Sequence, residues 1–109
     1  MTIQDLFTAI NSTNGLKGRT FYSHKTADVK LPFCFIEKDG ETHEFADNSN
    51  FAKVSDDCTV ELYTAKYDPG LEAELDAVLI SNGITYTKTS SYVNDGNYFV
   101  VSYDITLTN

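Results

Sequence analysis

The sequence contains no tryptophan, one methionine, two cysteines and two prolines among its 109 residues, and it is short of positive charge. Eight lysines and arginines stand against sixteen aspartates and glutamates, which gives a net charge of −8. Proteins that bind nucleic acid phosphates or anionic membranes need clustered cations, so this balance argues against both kinds of partner. We therefore predict no membrane partner and no specific nucleic acid binding.

Long apolar runs are also missing. No segment approaches the roughly 18 consecutive apolar residues that a membrane-spanning helix requires. The N-terminal segment has neither the cationic start nor the continuous apolar centre of a secretory signal. The sequence therefore predicts a cytoplasmic protein. Because that compartment is reducing, Cys34 and Cys58, which lie in apolar segments, are predicted to be buried free thiols rather than a disulfide.

The chain does contain enough apolar material for one small core. Hydrophobic residues make up 41% of it and aromatic residues 13%, which is too much for a disordered tail. A chain of this size buries roughly two-thirds of the surface that its unfolded form exposes. We therefore predict a single domain spanning residues 1–109 that is stable without a metal or a disulfide.

Two helices are predicted from capping residues and apolar periodicity. Thr2 and Asp5 fit a capping box, and apolar residues then recur at helical spacing as far as Ile10, which predicts a first helix from about Thr2 to Ser12. Asp68 and Pro69 suit the cap and the first position of a second helix, which the Asn-Gly pair at residues 82–83 ends. Each helix has one apolar face with which to cover a sheet.

The remaining chain favours β-strands joined by hairpins. Asp39-Gly40 and Asn94-Asp95-Gly96 are predicted hairpin turns. Hairpin connections favour an antiparallel sheet, so we predict an α+β fold with a single mainly antiparallel or mixed sheet of about five to six strands and two helices packed on one face. The predicted order is α-β-β-β-β-α-β-β, with strands at residues 20–23, 31–38, 41–45, 58–63, 84–93 and 97–108.

No catalytic or cofactor-binding motif is present in the sequence. It has no glycine-rich phosphate loop, no nucleophile elbow, no CxxC pair and no HExxH. His24 and His43 lack a second histidine or cysteine at ligand spacing. A calcium loop beginning at Asp47 would have Ala52 and Cys58 where it needs glycine and glutamate. We therefore predict no catalytic residue, no metal site and no cofactor.

Acidic residues concentrate in one segment. Seven of the sixteen lie between residues 37 and 57, where the chain has only two lysines. They form either a solvated face or a charged surface that faces another molecule or a lumen. Residues 39–55 also form a long polar connection, which we expect to be mobile and to contact a neighbouring protein. The candidate interface or lumen residues are Glu41, Glu44, Asp47 and Asn48.

The seven tyrosines and seven phenylalanines suggest a second surface. A platform for stacking nucleobases would also need cations to hold the nucleic acid backbone, so packing in a core and at an interface is the better interpretation. Tyr63, Tyr98 and Val100 fall on strand faces opposite the predicted core. We therefore predict Tyr63 and Tyr98 as further candidate contacts between subunits.

Several local strings, in this order and spacing, resemble one family. They are TIQDLF at residues 2–7, PFCFI at 32–36, FADN at 45–48 and ELYT at 61–64, followed by Lys66 and Asp68-Pro69. On these strings and its length, the chain resembles the tail-completion proteins, also called tail-terminator or head-tail joining proteins, of siphophages and prophages of Gram-positive bacteria. The chain departs from the family pattern between residues 39 and 51, so no contact residue is carried over there.

The resemblance implies a non-enzymatic structural protein of the virion. Such proteins assemble as a hexameric ring on the last ring of the tail tube, stop its polymerisation and present a surface to the head connector. The implied partners are other copies of the chain, the major tail tube protein and the head connector protein. The implied location is the head-proximal end of the virion tail, after assembly in the bacterial host cytoplasm. Genomic DNA would pass through the ring, and a negative wall would keep the DNA from adhering.

Two other classes of function stay open. An acidic regulatory protein that mimics DNA would also carry a large negative charge. A small enzyme would need a constellation of reactive residues, which the sequence does not provide.

Overall fold

The computed structural model of the protein describes residues 1–22, 31–45, 51–94 and 96–108, with the backbone alone at residues 44, 45 and 51–54. Two helices and five strands account for most of these residues. In chain order they are α1 (Ile3–Asn11), β1 (Thr20–Tyr22), β2 (Phe33–Phe45), β3 (Phe51–Thr64), α2 (Pro69–Ser81), β4 (Tyr86–Val93) and β5 (Tyr98–Thr108).

The five strands form one mixed sheet in the order β1-β2-β3-β5-β4. β1 runs parallel to β2, and the other three pairings are antiparallel. Apolar residues of both helices join the same buried cluster on one face of the sheet. The predicted α+β fold, with a single mixed sheet and two helices on one face, is therefore confirmed.

The helix boundaries follow the predicted capping chemistry. The Thr2 hydroxyl accepts a hydrogen bond from the Asp5 amide at 3.1 Å, and the Asp5 carboxylate accepts one from the Thr2 amide at 3.0 Å. Hydrogen bonding of the Asp5 carboxylate to the Thr2 amide, and secondarily to the Thr2 hydroxyl, lowers the pKa of Asp5. The Asp68 carboxylate caps α2 by accepting from the Leu71 amide at 3.1 Å. Gly83 follows α2 with a φ of 69°, a conformation that glycine adopts without steric cost.

The predicted hairpin turn at Asp39-Gly40 is wrong. β2 passes through both residues, so the strands predicted at 31–38 and 41–45 are one strand and only three strands separate the helices. Lys38 pairs with Cys58 and Gly40 with Asp57, which leaves Asp39 as an extra residue in β2. Asp-Gly is a good hairpin signal, but a β-bulge also accepts such a pair when a long partner strand is available.

A second irregularity lies further along the same pairing. Thr42 pairs with Ser55 and His43 with Lys53. The expected long connection at residues 39–55 is therefore wrong for residues 39–45 and 51–55, which belong to strands. Phe45 pairs with Phe51, and residues 46–50 lie outside the described ranges.

The predicted hairpin between the last two strands is confirmed. β4 and β5 are antiparallel, and their pairing extends to Val93 and Tyr98 on either side of the predicted turn. Asn97 has a φ of 53° there, a conformation that asparagine tolerates better than most residues. Asp95 lies outside the described ranges.

The core lies between the helices and the covered face of β2, β3 and β5. Cys34 and Cys58 are buried free thiols, as predicted. Cys34 on β2 pairs with Leu62 on β3. Cys58 lies four positions from Leu62 on that strand, which puts the two cysteines about 13 Å apart along the strand direction. That separation is too long for a disulfide. The buried cluster comprises Leu6, Ile10, Leu16, Cys34, Ile36, Cys58, Val60, Leu62, Leu71, Leu75, Leu79, Val101, Tyr103, Ile105 and Leu107.

Tyr103 is the largest fully buried side chain and joins the sheet to α2. Its hydroxyl donates a hydrogen bond to the Asp76 carboxylate at 2.9 Å, and the other oxygen of Asp76 is 2.9 Å from the Lys88 amino group. Burial, followed by the Asp76 hydrogen bond, raises the pKa of Tyr103 well above its ordinary value. The neutral phenol is therefore part of the folded structure.

We expect Tyr103→Phe to lower the free energy of unfolding at pH 7 by about 1 kcal/mol, the usual contribution of such a hydrogen bond. The raised pKa makes this difference depend on pH. Below pH 10, the ordinary pKa of tyrosine, the stabilisation by Tyr103 is complete. Above that pH only the unfolded chain loses the Tyr103 proton. The free energy of unfolding of the wild-type protein therefore falls by up to about 1.4 kcal/mol per pH unit more than that of the variant.

The two proteins should therefore become about equally stable between pH 10 and pH 11. Urea unfolding of both proteins at pH 7, 10 and 11 measures the difference. A difference that stays constant over this range would contradict the raised pKa.

Candidate interface surfaces

A row of aromatic side chains crosses the face of the sheet that the helices leave uncovered. Phe33 stacks on Tyr63 with ring centroids 4.7 Å apart, and Phe35 meets the same ring edge-on at 6.0 Å. Phe21 extends the row into β1 at 6.4 Å from Phe33, and Tyr98 extends it into β5 at 5.5 Å from Tyr63. We call these five residues the aromatic row.

The aromatic row contains both tyrosines predicted as contact residues. Strand alternation places them there, because Leu62 and Val101 point to the core, while Tyr63 lies one position from Leu62 and Tyr98 three positions from Val101. Burial raises the pKa of Tyr63, and the nearby Glu61 carboxylate adds to the shift. Tyr63 and Tyr98 are half-buried, whereas Phe33 is only 2% exposed. The row therefore has a packed centre and more accessible ends.

The same face becomes acidic further along the strands. Glu61 accepts a hydrogen bond from the Ser102 hydroxyl at 3.4 Å, and Asp57 accepts one from the Thr106 hydroxyl at 3.2 Å. Asp39 accepts one from the Thr59 hydroxyl. Neighbouring strands thus hold these carboxylates in place, so the face is apolar at one end and negatively charged at the other.

Beyond the acidic end, β2 and β3 continue as a hairpin arm, which we define as residues 39–45 and 51–57. β1 pairs only as far as Ile36, and β5 ends opposite Ser55. In the described chain, the outer part of the arm therefore has two strands and two unpaired edges. Unpaired edges readily add a strand from another chain.

Glu41, the first candidate residue of the arm, lies in a network of charges. It forms an ion pair with Lys38, and its other oxygen is 2.8 Å from the His43 ring nitrogen Nε2. Lys38 also lies 3.6 Å from Asp56, which is 4% exposed. The hydrogen bond from Lys38 to Glu41 raises the pKa of the lysine. Glu41 therefore organises the base of the arm in addition to adding negative charge.

The structure does not bring all the candidate residues together. Glu41 pairs with Asp56, seven positions along β3 from Tyr63, or about 23 Å. The Glu44 backbone pairs with Ala52 in the arm, while its side chain is outside the described part of the chain. Asp47 and Asn48, like His24, lie outside the described ranges. Glu41 and the aromatic row thus lie on separate surfaces.

Sequence reasoning missed a groove of about 420 Å³ on the helix-covered side of the sheet. Leu62 and Val101 form its floor, and Tyr67, Tyr92 and Phe99 form aromatic walls. Phe99 is 4.8 Å from Tyr92 and 6.0 Å from Tyr67 between ring centroids. The sequence pattern assigned Phe99 to the core face, and the structure shows that this end of the core face is open.

The rim of the groove is acidic. Asp68 and Glu72 line it from the start of α2, and the small Ser90 lines it from β4. Glu72 lies 3.3 Å from the Lys88 amino group, which Asp76 also contacts. Three carboxylates and one lysine therefore surround this end of the sheet.

Within residues 1–22, 31–45, 51–94 and 96–108, no three histidine, cysteine or acidic residues come together as metal ligands. Neither described helix has the length and apolar character to cross a membrane.

No protein-family model and no curated protein matches the chain. Its fold is similar to that of a chain in a solved structure described as the virion of a native gene transfer agent (GTA) particle. The TM-score is 0.53 and the sequence identity 9%, over 94% of this chain and 82% of that one. The fold therefore occurs in a component of a virion. At this identity the similarity shows the fold alone.

We expect Glu41→Lys to loosen the hairpin arm while the rest of the sheet stays folded, because a second cation would replace the carboxylate that Lys38 and His43 contact. Hydrogen exchange should become several-fold faster at the amides of residues 39–45 and 51–57 and stay unchanged in β5. The matched control is Glu74→Lys, the same charge reversal at an exposed position of α2. Equal exchange in both variants would show that Glu41 does not organise the arm.

Proposed function

We propose that this protein is a non-enzymatic structural component of a phage virion. The observation that carries the proposal is the fold shared with a chain of the gene transfer agent virion, a phage-like particle, over most of both chains. The surface features of the fold also support an assembly role, since they are an aromatic row, an acidic face, a hairpin arm and a groove rather than a cluster of reactive groups among the described residues. These surfaces suit assembly with other proteins.

Within the virion, we propose that the protein ends the tail tube. The ordered strings TIQDLF, PFCFI, FADN and ELYT support this role through the resemblance to tail-completion proteins. In that role the chain forms a hexameric ring on the last ring of tube protein, blocks further polymerisation and docks the head connector. The corresponding location is the head-proximal end of the tail.

The aromatic row and the hairpin arm are the proposed contacts in that assembly. Tyr63 and Tyr98 offer apolar area at half-buried positions, which a neighbouring subunit can cover with little cost in side-chain entropy. In the described chain the outer part of the arm has unpaired strand edges, which it would offer to a neighbour or to the tube. Glu41 remains a proposed interface or lumen residue, as do Glu44, Asp47 and Asn48.

The ordered carboxylates favour a lumen wall over a DNA mimic. A mimic has to present charge freely to a protein that binds phosphates, whereas Glu41, Asp57 and Glu61 already contact cations or hydroxyls of this chain. They still repel a passing phosphate backbone, because the chain carries a net charge of −8.

Deletion of the gene from its phage or prophage tests the proposed role. Head filling and tube protein synthesis should continue, while electron microscopy should show overlong tubes or tubes separated from full heads. A plasmid copy of the wild-type gene should restore joined tails of normal length. Normal-length joined tails in the deletion strain would refute the terminator role, and tight binding of the purified protein to a DNA-binding protein would favour a mimic.

Tyr98→Ala tests the aromatic row separately from folding. Losing one half-buried end of the row should lower the free energy of unfolding by only about 1 kcal/mol. The variant should nevertheless fail to restore joined tails, because the contact with its neighbour is lost. The control is Ile80→Ala, which removes an apolar side chain that is 66% exposed on α2. Full rescue by both variants would remove Tyr98 from the proposed interface.

A further inference from the structure

The groove lies directly beside an edge of the sheet that no other described strand covers. β4 is the last strand in the described sheet order, and its residues 87–92 are all exposed. This strand has no proline and no glycine, and it pairs with β5 without a register shift. Regular, exposed edges of this kind are the sites at which an extended segment of another chain adds a strand.

We propose that the groove binds a lysine or arginine side chain, carried by an extended segment of a partner protein that pairs its backbone with β4. The site differs from the aromatic row and the hairpin arm, and the proposal does not rest on the tail-terminator role. A strand added to β4 would direct alternate side chains to the helix-covered side, where the groove opens.

The side chains of β4 leave space for such a residue. Lys88, Ser90 and Tyr92 face the helix-covered side, opposite Tyr103, Val101 and Phe99 of β5. Ser90 is small, so the floor of the groove stays open between its two larger neighbours. A long side chain from an added strand can therefore pass over Ser90 towards Leu62 and Val101.

Charge and aromatic rings determine what the groove can accept. Asp68 and Glu72 supply carboxylates, while Tyr67, Tyr92 and Phe99 supply ring faces. Cations bind both kinds of group, whereas an acidic side chain would be repelled. The long alkyl part of lysine or arginine also suits the apolar floor.

The protein already holds one of its own cations in this way. The Lys88 amino group is 2.9 Å from Asp76, 3.3 Å from Glu72 and 5.8 Å from the centre of the Tyr103 ring. The groove repeats this combination of carboxylates and an aromatic ring at Ser90, two positions beyond Lys88 on β4. Glu72 belongs both to the Lys88 site and to the groove. The second place has carboxylates and rings but no lysine among its lining residues.

Charge also favours a different protein over a second copy of this chain. A second copy brings a net charge of −8 towards an acidic groove, and a basic segment brings the opposite sign. The expected partner is therefore a protein with an extended, positively charged segment.

Titration with short peptides, followed by amide NMR of the full chain, tests the proposal. The probe is the blocked heptapeptide Thr-Val-Thr-Arg-Thr-Val-Thr, and its comparison has glutamate in place of arginine. The arginine peptide should shift the amides of β4 and of the groove, and it should bind about tenfold more tightly than the glutamate peptide. N-methylation of the residues flanking the arginine should abolish binding, because it blocks strand pairing.

A pair of variants on one helix assigns the binding to the groove. Glu72→Gln should weaken the arginine peptide about fivefold, since it removes one carboxylate and leaves Lys88 paired with Asp76. Glu74→Gln makes the same change at an exposed position of α2 outside the groove and should leave the affinity unchanged. Unaltered spectra in β2 and β3 would verify that both variants are folded.

Three results would overturn the proposal. The first is equal binding of the arginine and glutamate peptides, or no binding of either at about 5 mM. The second is an equal effect of the two glutamate variants. The third is a shift of the β4 amides with protein concentration in the absence of peptide, which would assign this edge to a second copy.

Discussion

The structure depends on the burial of one face of the sheet under two short helices. α1 and α2 place Leu6, Ile10 and Leu75 against β2, β3 and β5, and the alternation of strand side chains sends the intervening residues to the other face. Two helices of 9 and 13 residues cannot also cover that second face. The aromatic row and the acidic face both follow from this one-sided core.

The regular parts of the fold were predictable because local chemistry determines them. The Thr2 and Asp5 capping box, the Asp68 cap and the period-2 pattern of β5 each need only a few neighbouring residues. The path of β2 through Asp39-Gly40 was not predictable in the same way. The same pair suits a turn or a bulge, and the choice depends on β3, which lies more than ten residues away and offers paired positions on both sides of Asp39.

The same distinction applies to the candidate surfaces. Tyr63 and Tyr98 were identified from alternation alone, and register brings them together at 5.5 Å. The groove has no such signature, because Tyr67, Ser90 and Phe99 come from three segments that meet only in the folded sheet. The available signal was the position of Phe99, an apolar residue at the end of the core face with no helix residue predicted to cover it.

Charge has two different roles in this molecule, and the contacts separate them. On the uncovered face and at the base of the arm, carboxylates such as Asp57, Glu61 and Glu41 contact hydroxyls or cations of this chain, which fixes a negative surface in place. Beside the groove, Glu72 shares one lysine with Asp76 while Asp68 caps a helix, so negative charge there exceeds the local cation. The first arrangement suits a wall that repels phosphate, and the second suits a site that a basic partner completes.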